Sequence, residues 1–307
     1  MKIEITLNKL FITLFLISFN LNAAETADKN TSCTLALNQA DFVKAVSIAD
    51  EMLKSDANDR EGLLCKGRAL GAQGNYAEAL SALELAAKQS KLPFDQAVAY
   101  LLIGNLHKEN NQYATAITSY NKSLALCLQE NNQKFAHINY NLIGKTQVLA
   151  NDLNAALASF KAGENLAMND NERADSYENL AHTYSALNEH DLAIEFQVKA
   201  ILMQKRSGTL DQQANANFEM GRIYTVAKEY QNAEKAYAKL IQFAKDNGGA
   251  YYEAKANMGL ALTKFAMGDT ATAKILLADS QIMAKEIGAN DLLAEIDDSL
   301  NKINSQK

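Results

Sequence analysis

The sequence predicts an all-α fold: a stack of antiparallel helix hairpins closed by a C-terminal capping helix. Three observations carry that expectation. The 307-residue chain holds one proline and no tryptophan, with few β-branched runs, so long helices meet few breakers and strands find few formers. Alanine recurs in one local setting at Ala45, Ala79, Ala116, Ala156, Ala193, Ala233 and Ala273, at intervals of 34, 37, 40, 37, 40 and 40 residues, periods that mark repeat architecture. Twelve residues before five of these stands a small residue, Gly67, Gly104, Gly144, Ala181 or Gly221, with a turn in between; Ala261 holds that place before Ala273, with Gly259 competing for it, and Cys33 holds it before Ala45. Since 48% of the residues are hydrophobic, a sizeable core is within reach.

The first element is an export signal. Lys2 and Lys9 precede a mainly apolar run from Leu10 to Leu21, and Asn22-Ala23-Ala24 supplies small residues before Glu25. This is signal-peptide order, with cleavage expected after Ala23 or Ala24. The run is short of the ~20 residues that a spanning helix needs, so no stable membrane anchor is expected. No cysteine stands at the cleavage point to take a lipid. The mature chain, residues 25–307, reads as one repeat domain with net charge near −7.

A truncated first hairpin is expected over residues 31–58. Full hairpins follow at about 60–92, 95–131, 134–170, 172–207, 211–248 and 250–287. In each, helix A ends at a turn such as "QGNY", "NNQY", "ANDL" or "MGDT", where Gly and Asn tolerate left-handed backbone and Asn or Asp can cap helix B. The small residue on A and the alanine on B let the two backbones approach. A large residue follows the turn at Phe42, Tyr76, Tyr113, Leu153 and Tyr230, to plug the hairpin's open end. Another comes four residues after the alanine at Leu83, Tyr120, Phe160, Tyr237 and Leu277. The segment 289–303 carries one apolar stripe, Leu292, Leu293, Ile296, Leu300 and Ile303, opposite Glu295, Asp297, Asp298 and Lys302. That is what a terminal repeat needs, having no further neighbour to cover it.

These offsets, with Tyr100-Leu-Leu-Ile-Gly104, Tyr140-Asn-Leu-Ile-Gly144 and Tyr177-Glu-Asn-Leu-Ala181, resemble the tetratricopeptide repeat (TPR) family over about residues 31–287. The resemblance implies a right-handed α-solenoid of the longer-repeat type. The family's frequent tryptophan is replaced by tyrosine or lost, its terminal proline is missing except near Pro93, and the extra residues fall between one B helix and the next A.

Chemistry-bearing motifs are sparse. His107, His137, His182 and His190 pair with no second His or Cys at metal-ligand spacing, and the acidic run 169–175 lacks the alternating oxygens of a calcium loop and reads as a helix start favoured by the dipole. Phosphate-binding glycine loops are absent, no nucleophile–base grouping emerges, and no basic stripe suits nucleic acid. The chain is therefore read as a non-enzyme with no cofactor and no metal. Of three cysteines, Cys33 and Cys65 fall on the first two A helices. The position equivalent to Cys33 in the second unit is Gly67, and Cys65 lies half a turn away, so adjacent parallel helices could bring the pair together as a disulfide. The alternative is three small buried thiols.

The resemblance places ligands on the concave A-helix face. Projected from the small residue, one position after it come Arg68, Asn105, Lys145, His182 and Arg222, and three before it come Leu64, Leu101, Asn141, Glu178 and Phe218. This mixture of donors and apolar anchors suits an extended peptide or protein segment. The Lys–Asn, Asn, Lys–Arg clamp with which some TPR domains take a chaperone's carboxyl end is not found. The expected function is a peptide- or protein-binding scaffold in the cell envelope or secreted space. The alternatives are a self-associating structural solenoid, giving a homo-oligomer, and a regulatory subunit of an envelope enzyme complex.

Overall fold

The computed structural model describes residues 30–305; the expected signal peptide lies outside them. Among the described residues every regular element is a helix. The described residues form two compact units, divided between Asn139 and Tyr140.

The first unit contains α1 (30–38), α2 (Phe42–Ser55), α3 (Arg60–Ala72), α4 (Tyr76–Gln89), α5 (Pro93–Glu109), α6 (Tyr113–Gln129) and the start of α7 (Gln133–Leu149). The second holds the rest of α7, then α8 (Leu153–Glu164), α9 (Asp170–Ala186), α10 (His190–Ser207), α11 (Leu210–Val226), α12 (Tyr230–Asp246), α13 (Ala250–Ala266), α14 (Thr270–Glu286) and α15 (Asn290–Ser305). Odd-numbered helices are the A helices. α3, α5, α9, α11 and α13 each pack on the B helix that follows, and A helices also touch one another, α3 with α5, α9 with α11, α11 with α13, and α13 with α15.

Sequence explains how each hairpin turns. Gly74, Asn111, Asn151, Asn188 and Gly268 take positive φ just past the end of an A helix. The amide of the residue right after each then returns to the last turn: Asn75 N–H reaches the Leu70 carbonyl at 2.9 Å, and Gln112 N–H reaches that of His107 at 2.9 Å. This closes the left-handed cap that satisfies the orphan carbonyls. Ala40 and Lys228 hold the same conformation without a residue that favours it. Carboxylates of Asp41, Asp152 and Asp269 cap the next helix, whereas Asn75 makes no side-chain capping bond. The acidic run ahead of α9 is a cap: Asn169 accepts from Glu172 N–H, whose carboxylate accepts from Met168 N–H.

The small residues do more than let backbones approach. A methyl group added at Gly67 would lie 2.5 Å from Leu83 Cγ; at Gly104, 2.5 Å from the Tyr120 ring; at Gly144, 2.5 Å from the Phe160 ring; at Gly221, 2.6 Å from the Tyr237 ring. Each glycine is thus the floor of a slot filled by the large residue four positions after the repeat's alanine. Tyr237 also fills the space over Gly259 of the next A helix, which accounts for the competition between Gly259 and Ala261. Where Ala181 replaces glycine, the residue in the ring's position is Gln197, fully buried, its amide donating to the Ala216 carbonyl at 2.8 Å. In α15, Leu292, Ile296 and Ile303 are buried against α13 and α14, with Leu293 and Leu300 partly covered.

Candidate functional site

In the first unit, α3 and α5 build two cavities that share Arg68 and Leu102. One, of 280 Å³, has Gly67, Gly71, Leu83, Leu106 and Asn105 in its lining. The other, of 470 Å³, is bounded by Asn30 and Thr34 of α1, Arg60 and Leu64 of α3, and Phe94 and Val98 of α5. The charge at this face is uneven. Arg60 is neutralised by Glu61 and by Asp95, 3.4 Å away, and its Nε donates to Ser90 Oγ at 3.3 Å. Arg68 is exposed and has no ion pair among the described residues. Asn105 is half-buried and lines the smaller cavity, its Oδ1 accepting from the Tyr120 hydroxyl at 2.7 Å.

Two expectations change here. Leu64 does not stand free: it is 7% exposed, packed with Leu63, Ile103 and Val98, because α5 stacks directly on this stripe of α3. Leu101 is half-buried, and the column of α5 that lines the larger cavity is instead Phe94, Val98 and Leu102, one residue round the helix from the projected Leu101–Asn105 column. Leu102 was findable from its i, i+4 spacing to Val98; the apolar character of "YLLIG" hid which leucine faced out.

Cys33 and Cys65 are joined in a disulfide with Cα atoms 6.3 Å apart, and both line the larger cavity. Cys127 is a buried free thiol whose pKa burial pushes up.

In the second unit the projected residues converge into a polar network across α7, α9 and α11. Arg222 Nη2 lies 2.6 Å from His182 Nδ1, and Arg222 Nε donates to Glu219 Oε2 at 2.5 Å. His182 Nε2 is 3.5 Å from the same Glu219 oxygen. Since arginine can only donate, His182 accepts at Nδ1 and carries its proton on Nε2, toward Glu219. Burial lowers the His182 pKa; Glu219 opposes this, and the positive charges of Arg222 and Lys145 add to it. Burial raises Glu178 to about 7; the hydrogen bond from Gln204 and the charge of Lys145 oppose the rise, and Asp175 and Glu219 add to it. Gln204 Nε2 donates to Glu178 Oε1 at 3.4 Å. Lys145 is exposed. Asn141 is half-buried, its Oδ1 resting where a side chain on Gly163 would begin.

Phe218 is a further correction. At 8% exposed it belongs to the core, beside Tyr237 at 5.7 Å between ring centroids and under Lys255 Nζ at 4.8 Å. The neighbouring repeat covers it, as it covers Leu64. Glu219 and Gln204 are partners that the projection missed: Glu219 lies off both projected columns, and Gln204 comes from the B helix.

The network holds hydrogen-bonding groups and charges. Among the described residues no group of His, Cys, Asp and Glu is arranged to hold a metal ion, and no helix is long and apolar enough to cross a membrane.

Residues 97–129 and 174–206 match the tetratricopeptide repeat family model. Solved structures share the fold. The chain aligns with the Cut9–Hcn1 hetero-tetramer of the APC/C at TM-score 0.56 and 16% identity, over 86% of this chain and 48% of that one; it thus spans about half the length of that relative. It aligns with the apo form of RapI at TM-score 0.60 and 15% identity, over 78% and 94%. A Rap protein complexed with Competence and Sporulation Factor gives TM-score 0.51 and 14% identity, over 92% and 98%. None of the curated proteins compared with the chain matches it. Two segments, within α5–α6 and α9–α10, thus match the tetratricopeptide repeat model, and the chain shares with these structures an all-α fold of stacked helix hairpins.

Proposed function

We propose that this protein is a non-enzymatic scaffold that grips an extended segment of a protein or peptide on its A-helix face. The observation that carries the reading is Arg68: an exposed cation without an ion pair among the described residues, placed between a mainly apolar cavity and a mixed polar and apolar one, each large enough for side chains. Successive same-face side chains of an extended segment are ~7 Å apart, so such a segment can seat apolar groups in the cavities and present a carboxylate or backbone oxygen to Arg68. Lys145 and the His182–Glu219–Arg222 network offer further polar contacts in the second unit. Leu64 and Phe218 support the face from beneath as packing residues. The Rap protein's complex with a factor, on the same fold, supports a binding role.

The proposed location is the cell envelope or the secreted space. The order of charge, apolar run and small residues in residues 1–24 supports export, and the Cys33–Cys65 pair fits an oxidising compartment. N-terminal sequencing of the mature protein should begin at Ala24 or Glu25; an intact Met1 in the exported fraction contradicts cleavage. For the binding role, charge reversal at Arg68, Lys145 and Arg222 together should abolish recovery of co-purified partners, and unchanged partners refute it. Self-association is the second reading, supported by Ile275 and Ile282 of α14, which stand 63% and 55% exposed. Light scattering on the mature chain separates the two.

A further inference from the structure

Arg222 is a projected cation of the second unit, yet it is held back. Its Nε donates to Glu219 Oε2 at 2.5 Å, and its Nη2 donates to His182 Nδ1 at 2.6 Å. The second bond exists only while His182 is neutral, because a protonated ring carries N–H on both nitrogens and arginine never accepts. The other ring nitrogen, Nε2, stands 3.5 Å from the same Glu219 oxygen. One carboxylate oxygen thus faces two groups, of which only Arg222 is permanently charged. Side-chain exposure is 42% for His182 and 38% for Arg222, so a proton reaches the ring and the guanidinium has solvent to turn into.

The charges around the ring come from several helices. Glu219 of α11 favours a charge on His182, and Arg222 and Lys145 of α7 oppose it. On α9 itself, Glu178 and Asp175 lie one and two turns before His182. Glu178, pushed up to about 7, takes its proton first as pH falls and so offers Arg222 no second carboxylate in acid. From α10, Gln204 donates to Glu178. From α12, Tyr237 faces Glu219 and Arg222 with a hydroxyl that burial keeps neutral. From α8, Lys161 lies over the Tyr184 ring and Glu164 acts on Tyr177.

We propose that His182 is a proton-operated latch on Arg222: protonation of the ring passes the Glu219 carboxylate from Arg222 to His182 and frees the guanidinium for a carboxylate on a bound segment. The proton goes to Nδ1, the atom that had accepted from Arg222. The new N–H then points at a group that can only donate, and two positive charges stand in contact. The Nε2–H, already facing Glu219, closes on it as a charge-assisted bond. Burial and the neighbouring cations hold the ring's pKa down, so release comes below pH 6.5. The benefit to a partner rests on the A-helix-face reading above; the latch itself does not.

The test follows two groups by NMR in the full mature chain, from about pH 8 to about pH 4.5: the His182 ring and the Arg222 Nε–H. His182→Gln and Arg222→Lys assign the signals. Hydrogen exchange at Arg222 is read relative to the exposed Arg68, which corrects for the pH dependence of exchange itself. The latch predicts that Arg222 is protected several-fold over Arg68 at the upper pH and falls to parity with it in acid, with the midpoint of the His182 titration. His182→Gln, whose amide oxygen accepts at every pH, should keep the protection throughout. Glu219→Gln removes the shared carboxylate, so it should lower the ring's titration and leave Arg222 poorly protected at every pH. Arg222 protection that stays constant while the ring titrates overturns the latch. So does a ring that does not titrate in this range, an equal loss in His182→Gln, or far-UV ellipticity that falls together with the protection. Failure of the binding reading shows separately: partners unchanged by charge reversal at Arg68, Lys145 and Arg222, while Arg222 protection still follows the ring, refute that reading and leave the latch standing.

Discussion

Replacing Gly104 by alanine should destabilise this protein, although alanine is the better helix former. The added Cβ would lie 2.5 Å from both Cδ1 and Cε1 of Tyr120. Carbon atoms rest comfortably at ~3.5–4.0 Å, so the ring must retreat by about 1 Å. It has little room to do so. Tyr120 is fully buried, and its hydroxyl is tied to Asn105 Oδ1 at 2.7 Å. Overpacking of this kind costs ~1–3 kcal/mol, against a gain of ~1 kcal/mol from removing glycine from a helix interior. A net loss of about 1 kcal/mol follows from those two terms. Urea denaturation followed by ellipticity at 222 nm reads it, with the transition analysed repeat by repeat because solenoids depart from two-state behaviour. Tyr120→Leu should lose stability alone through the cavity it leaves. Combined with Gly104→Ala it should cost less than the sum, since the slot and its filler are one feature. A raised urea midpoint for Gly104→Ala, or strict additivity in the pair, refutes the slot account.

Further outcomes follow from the same geometry. Gly74→Ala has open space around the new methyl but φ of +81°, so it should lose ~1–2 kcal/mol from left-handed backbone alone, with no rescue from any neighbouring substitution; denaturation of Gly74→Ala against Gly74→Asn checks this. Cys33→Ser removes a cross-link of sequence separation 32; the chain-entropy estimate is about 3–4 kcal/mol, lost at the N-terminal repeat first, as hydrogen exchange of α1 and α2 would show. For pH, Glu178 binds its proton more tightly folded than unfolded, so its contribution to stability is present below pH 4.5 and is lost as pH rises to about 7. His182, whose pKa is lowered, acts oppositely and costs stability as pH falls below 6.5. The readout is therefore the difference between wild type and Glu178→Gln, which should diverge progressively from pH 4.5 to 7; parallel stability curves contradict the buried-carboxyl assignment.

Much of the fold was legible because its determinants are local and repeated. The alanine period, the twelve-residue spacing and the turn residues each recur, so one ambiguous hairpin is corrected by its neighbours. Ala181 is instructive: read alone it looks like a harmless variant of glycine, and only the structure pairs the change with Gln197 in place of a ring. The candidate site was less legible because it depends on how one repeat covers the next. Leu64 and Phe218 sit at the projected spacing yet face an adjacent helix, and a single-helix projection cannot distinguish a stripe open to solvent from one under a neighbour. Arg68, Lys145, His182 and Arg222 reach the surface because long or polar side chains extend past that contact. Glu219 and Gln204 complete the polar network from outside the projected columns, where spacing carries no signal.

The central claim is that partners dock on the A-helix face. Site-specific photo-crosslinking in living cells tests it most directly, with the crosslinker placed at Arg68 and at Lys145 on A helices and, in parallel, at Ile275 on α14. The account predicts discrete adducts with another protein or peptide from Arg68 and Lys145 and none from Ile275. Adducts confined to Ile275, or only dimers of this chain from every position, would contradict it.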